Sequence, residues 1–267
     1  LWAWLVALVC LFPPLSSAFA QDEKPTRDFT PPKIVNYRQP EREYTTQTLA
    51  GWTVYLEKET TDRFPELAKQ TLTRLEAKLR QLKSLLPTHT HTPLQRLPLF
   101  VLLGDESQNG GRNNGAEYFQ KNAPDFWDFL DKRWRSAIVL YSARNYVQLD
   151  EHWSVQVLIH EFAHAWHLEH WEEKQADILS AWANATAKRL YVRVKDVNGK
   201  VLESAYASVN QLEYFAELSC AYFWRGEYEP FDRMALQNHD PIGFAMLEKM
   251  WGIHAPPPFA PPKPPSP

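Results

Sequence analysis

The chain has 267 residues, 44% hydrophobic and 23% charged, which excludes a disordered polymer and fits one globular domain or a small pair. Lys and Arg number 29 against 32 Asp and Glu, a net charge of -3, which excludes a broad basic footprint for nucleic acid or anionic lipid. Any partner has to be argued from individual sites.

Residues 1–20 are an apolar run closed by Pro13-Pro14, Ser16, Ser17 and Ala18-Phe19-Ala20. The run falls short of the roughly 20 apolar residues that span a bilayer, and Ala18 and Ala20 supply the small side chains that signal peptidase needs. The reading is a signal peptide cleaved after Ala20, with an uncleaved anchor as the alternative. It predicts a secreted or periplasmic protein with no stable membrane insertion after cleavage. Cys10 leaves with the signal, so Cys220 remains alone, and its apolar surroundings predict packing rather than reactivity. Residues 21–43, polar and punctuated by proline, read as a linker or N-terminal arm. The folded body is placed at 44–254, followed by a Pro-rich disordered tail at 255–267.

Within the body, Trp52, Val54 and Leu56 alternate with Thr53, Tyr55 and Glu57, the period of a half-buried strand, with Ala50-Gly51 as a hairpin turn before it. Leu67, Leu72, Leu75, Leu79, Leu82 and Leu86 recur at helical spacing until Pro87, predicting one amphipathic helix. The Pro-Thr-His-Thr-His-Thr-Pro stretch at 87–93 reads as an exposed loop. Residues 97–103 and 136–141 read as strands joined by a loop whose Asn109-Gly110 and Asn114-Gly115 pairs signal turns. The second of these strands is expected to offer its edge to an extended peptide. Helical patterns follow at 152–170, 174–190, 209–224 and 240–251, with Asn198-Gly199 as the turn of a short hairpin. Strands gather early and helices late, which predicts an α+β domain with a small mixed sheet followed by a mainly helical C-terminal half.

The sharpest chemical signal is His160-Glu161-Phe162-Ala163-His164. On a helix, residues four apart face the same way with Cβ atoms about 5–6 Å apart, so two imidazoles can hold one zinc ion. Glu161 stands about 100° further round, where it can act on a water as general base without being a ligand. A catalytic zinc needs a third protein ligand, and two residues compete. One is Glu213, on a helical segment that carries Glu217 one turn later. The other is His170, which completes an HExxHxxxxxH spacing. His167 stands where that spacing needs a helix-breaking glycine, and an unbroken helix carries His170 about 9 Å beyond His164. His167 and His170 then read as solvated helix-end residues.

His160–His164 followed by Asn210-Gln211-Leu212-Glu213-Tyr214-Phe215-Ala216-Glu217 resembles the gluzincin zinc metallopeptidases, most closely the catalytic domain of the anthrax lethal factor type. More broadly, the stretch from about Leu85 to Trp251 resembles uncharacterised secreted bacterial proteins that carry HExAHAxH and EYFAE segments. The resemblance implies a zincin-like metalloprotease domain with one Zn2+ held by His160, His164 and Glu213. It further implies Glu217 as a carboxylate behind a ligating histidine, and Tyr206, seven positions before Glu213, as a catalytic donor to the oxyanion. The implied activity is that of a zinc metalloendopeptidase acting on a peptide or protein substrate. Lethal factor's own substrate specificity does not carry over.

Two rival readings stand beside this one: a zincin-fold binding protein without activity, and a metallohydrolase acting on cell-wall peptide amides. Trp153, Trp166, Trp171, Trp182 and Trp224, on the helices around the motif, read as core packing, with a substrate groove as the alternative. A second metal site at His89 and His91 is disfavoured. No G-x-S-x-G elbow occurs, and Cys220 has no base partner in the sequence, so a serine or cysteine nucleophile has no support.

Overall fold

The computed structural model of the chain describes residues 42–121 and 131–253. The signal at 1–20, residues 21–41 of the arm, and the tail at 255–267 lie outside the described residues.

The fold is mixed α+β. Strands β1 (Tyr44–Leu49) and β2 (Trp52–Glu57) form the expected hairpin. Its turn places Ala50 at φ 51° and Gly51 at φ 101°, a left-handed region that glycine enters without Cβ strain. Helices α1 (Lys58–Arg63), α2 (Pro65–Leu85) and α3 (Thr88–Gln95) follow, then β3 (Leu99–Val101), β4 (Ala116–Phe119) and β5 (Ala137–Leu140). The sheet order is β1-β2-β3-β5-β4, with β2, β3 and β5 parallel and the outer strands antiparallel to their neighbours. Beyond the sheet come α4 (Ala143–Gln148), α5 (Glu151–His170), α6 (Ala176–Ala187), the small hairpin β6 (Val194–Lys195) and β7 (Val201–Leu202), α7 (Gln211–Phe223), α8 (Arg233–His239) and α9 (Pro241–Met250). Among the described residues, no helix is long and apolar enough to cross a membrane.

Two expectations need correction. Residues 137–140 are not an edge: Ile138 is paired with Leu99 on one side and Tyr118 on the other. Among the described residues, the edge on that side of the sheet belongs to β4, inside the segment read as loop. Residues 88–95 are the helix α3 rather than an exposed loop, because Thr90 and Leu94 are buried and the Leu94 carbonyl accepts the Trp52 indole N–H at 3.0 Å. Ahead of β1, Arg42, from the segment read as a linker or an arm draped on the domain, is buried in an ion pair with Glu57 at 2.5 Å. Glu57 also accepts the Leu103 N–H at 2.8 Å and the Ser107 hydroxyl at 2.6 Å. A charge removed from water needs this many donors to be tolerated, and the cluster fixes the start of the loop that leads to β4.

One face of the sheet and α2 enclose α5, which is buried on almost every side from Ser154 to His167. Behind it, the rings of Trp166, Trp251 and Phe215 stack in series, with centroids 5.4 and 5.9 Å apart, and the Trp166 indole donates to the Met250 carbonyl at 2.9 Å. Core packing thus accounts for Trp166, and Trp171, Trp182 and Trp224 lie half-buried against the same core. Cys220 is fully buried.

Candidate metal centre

Helix α5 starts at Asp150, whose carboxylate accepts the Trp153 N–H at 2.8 Å, and runs unbroken to His170. Regular helix through the motif puts His160 and His164 one turn apart on one face, and their rings meet edge-on with centroids 4.7 Å apart. Helix α7 packs along α5. Its first turn is set by Asn210, whose side-chain oxygen accepts the N–H groups of Leu212 and Glu213, each at 2.9 Å, a cap worth about 1 kcal/mol. That turn delivers Glu213 to the two imidazoles.

Nε2 of His160 and Nε2 of His164 are 3.0 Å apart, and Oε2 of Glu213 lies 3.1 Å from the first and 3.4 Å from the second. Ligand atoms around a tetrahedral zinc stand about 3.3 Å from one another, so the spacing fits a shared cation. Oε2 of Glu213 is buried facing both imidazoles, and a buried carboxylate oxygen is costly unless something positive meets it. Burial pushes the Glu213 carboxyl up, but the imidazoles of His164 and His160 outweigh that and hold it well below the usual carboxylate range. His160, His164 and Glu213 can therefore hold a metal ion between them. Their side chains are 5%, 12% and 17% exposed, enclosed enough to strengthen electrostatics yet open to solvent.

No protein-family model, curated protein or solved structure matches the chain. The chemistry of the site therefore rests on its own residues.

Glu217, one turn beyond Glu213, places Oε1 2.8 Å from Nδ1 of His160. Tyr206 sits on a 3-10 turn (Tyr206–Ser208) just before α7, with its ring stacked on His160 at 6.0 Å between centroids. The carboxylate of Glu161 accepts the Tyr118 N–H from β4 at 2.9 Å. His170 stands apart: its Nδ1 is 2.8 Å from the Trp166 carbonyl and its ring packs on the Trp166 indole. His89 and His91, on α3, are outside the metal-holding group.

His167 is not a solvated helix-end residue. It is fully buried, with Nε2 3.1 Å from the Glu172 carbonyl and its ring edge-on to Phe215. Burial pulls its pKa down to about 4, partly opposed by the bond to Glu172. The unfolded chain, with an ordinary histidine near 6.5, therefore takes up the proton first as the pH falls. His167 costs almost nothing above about pH 7 and removes about 2 kcal/mol of stability between pH 7 and pH 5. In metal-free protein, His167→Gln, which keeps a donor for the Glu172 carbonyl, is expected to show a loss of urea stability between those pH values smaller by about that amount. An equal loss in both proteins would assign the acid sensitivity elsewhere.

Sequence reasoning missed Tyr118. Its backbone meets Glu161, and its hydroxyl donates to Glu169 on the same helix, so β4 is tied to α5 on both sides of His164. The four-residue strand that carries it shows no readable alternation, and the only local hint was the turn pair just before it.

Proposed function

We propose that this protein is an exported zinc metallopeptidase of the gluzincin type on a zincin-like fold, hydrolysing peptide bonds in a peptide or protein substrate. The observation that carries the reading is the convergence of His160, His164 and Glu213 from two helices, with Glu161 next in chain to the first ligand. Zinc in such a site supplies Lewis-acid polarisation of a carbonyl and lowers the pKa of a water toward about 7.

The surrounding side chains supply the remaining steps. Glu217, its carboxylate 2.8 Å from Nδ1 of His160, favours the His160 proton on that nitrogen and leaves the Nε2 lone pair for the ligand position. Glu161, steadied by the Tyr118 N–H, takes the proton of the attacking water and later passes it to the leaving amine. Tyr206 donates its hydroxyl to the developing oxyanion, a contribution of about 3 kcal/mol when well aimed.

Strand β4 gives a place for the substrate main chain. The Tyr141 N–H is bonded to the Gly115 carbonyl and Ala116 is paired with Leu140, so antiparallel alternation turns the main-chain groups of Gly115 and Glu117 toward β5 and those of Ala116 and Tyr118 outward. A peptide added along that edge lies beside Glu161.

The test is hydrolysis by the purified protein lacking residues 1–20, assayed against casein, a peptide library and cell-wall fragments, with and without a zinc chelator. Proteolysis that disappears on chelation and returns with zinc is the expected outcome. Cleavage confined to cell-wall fragments would move the substrate to peptidoglycan amides, and bound zinc with no turnover on any substrate would leave a binding protein.

A further inference from the structure

Glu117 sits on the edge strand, one residue before the Tyr118 N–H that Glu161 accepts, yet it takes no part in the steps above. Side chains alternate between the two faces of a strand, and β4 keeps to that rule. The Tyr118 hydroxyl reaches Glu169, so Tyr118 takes the face of the sheet that lies against α5. Glu117 takes the opposite face. It is paired with Val139 on β5, and its carboxylate accepts the Tyr141 hydroxyl at 2.6 Å. Val139 and Tyr141 belong, with Phe119 and Trp134, to the apolar cluster on that side.

Tyr141 is itself buried, and the Arg112 guanidinium stands over its ring, 4.4 Å from the centroid. Arg112 also lies 3.6 Å from the Glu117 oxygen that Tyr141 meets, Oε2. Both contacts fall on one oxygen, and the Glu117 side chain stays 36% exposed. An ionised carboxylate has about four acceptor sites, so this one is held in place while keeping capacity for another cation. Burial raises its pKa, opposed by Tyr141 and Arg112, and a positive group arriving from solvent offsets that cost.

The main-chain groups of Glu117 face β5, so for a peptide laid antiparallel on the outer edge Glu117 is a non-hydrogen-bonded position. The peptide residue directly opposite has its Cβ about 4.5–5.5 Å away on the same face, within reach of a long basic side chain. We propose that Glu117 selects a lysine or arginine in the substrate, at the residue that lies opposite it on the edge of β4. This rests on the peptidase reading above. Because the next residue of β4 meets Glu161, the selected position stands at a fixed, short distance along the peptide from the scissile bond. A neutral residue there forgoes the ion pair, and an acidic one faces a like charge.

Peptides blocked at both ends and differing at a single residue, Lys, Gln or Glu, test the selection in wild type, Glu117→Gln and Arg112→Gln, each zinc-loaded and lacking residues 1–20. The readout is the ratio of kcat/KM between matched peptides, which does not depend on the fraction of active enzyme. Scanning that residue along the peptide is expected to reveal one position at which wild type cleaves the Lys peptide about 10-fold faster than the Gln peptide. In Glu117→Gln the ratio at that position is expected to fall below about 2-fold, because an amide keeps only an uncharged hydrogen bond. In Arg112→Gln it is expected to rise, because the substrate no longer shares the carboxylate with a guanidinium. Wild-type protein that cleaves no peptide would overturn the peptidase reading, and this inference with it. Cleavage with no basic preference at any position, or a preference that survives Glu117→Gln, would overturn the role of Glu117 alone. Should Glu117→Gln fail to fold, the ratio in Arg112→Gln decides: a raised value sustains the role and an unaltered one overturns it.

Discussion

Glu161→Gln is expected to bind zinc as wild type does and to lose peptide hydrolysis by about 10³-fold, or about 4 kcal/mol of transition-state stabilisation. The substitution is nearly isosteric. Its amide oxygen can still accept the Tyr118 N–H that Glu161 accepts at 2.9 Å, so β4 and α5 stay joined. The only capacity removed is proton transfer, since a neutral amide cannot take a proton from water near neutral pH. Glu161→Ala is the poorer experiment, because it also leaves the Tyr118 N–H without that partner and disturbs the edge on which a substrate would lie. Metal content and kcat/KM measured on the same preparations separate the outcomes. Retained zinc with turnover intact removes Glu161 from the mechanism, and loss of both metal and turnover makes it a structural support of the ligand helix.

Much of this site was legible because its main signals are periodic and local. His160 and His164 lie one turn apart on a helix whose apolar neighbours Val155, Leu158, Ile159 and Phe162 are all buried, and the leucines of α2 mark a second helix at the same spacing. The approach of Glu213 to the histidines was legible only through the pairing of two motifs, because nothing in helical spacing brings residues on separate helices together. The rest depended on long-range partners. Four residues of β4 are too few to show a period, and they become a strand because β5 pairs with them along its whole length. The α3 segment has a turn-like composition, but two of its side chains are needed in the core. His167 has a side chain common on helix ends, and its burial comes from Phe215 and the 172 carbonyl closing over it.

Glu213→Ala is expected to abolish stoichiometric zinc binding and hydrolysis together, while His170→Ala changes neither. Removing Glu213 leaves two imidazoles 3.0 Å apart at Nε2, and a two-histidine site lacks the anionic oxygen that a three-ligand zinc centre uses. The His170 ring is occupied with Trp166 at the end of the helix, so its loss alters packing there and not the donor set. Stability gives a second readout that needs no substrate. Zinc at about 1,000 times its dissociation constant stabilises the folded state by about 4 kcal/mol, so the wild-type unfolding temperature should rise on adding zinc and that of Glu213→Ala should not. His170→Ala should show the full rise. Glu213→Gln refines the comparison, because it keeps the shape and an oxygen donor while removing the charge, and is expected to fall between wild type and Glu213→Ala in zinc affinity. The reverse pattern, with zinc lost in His170→Ala and kept in Glu213→Ala, would require α5 to break near His167 and would make His170 the third ligand.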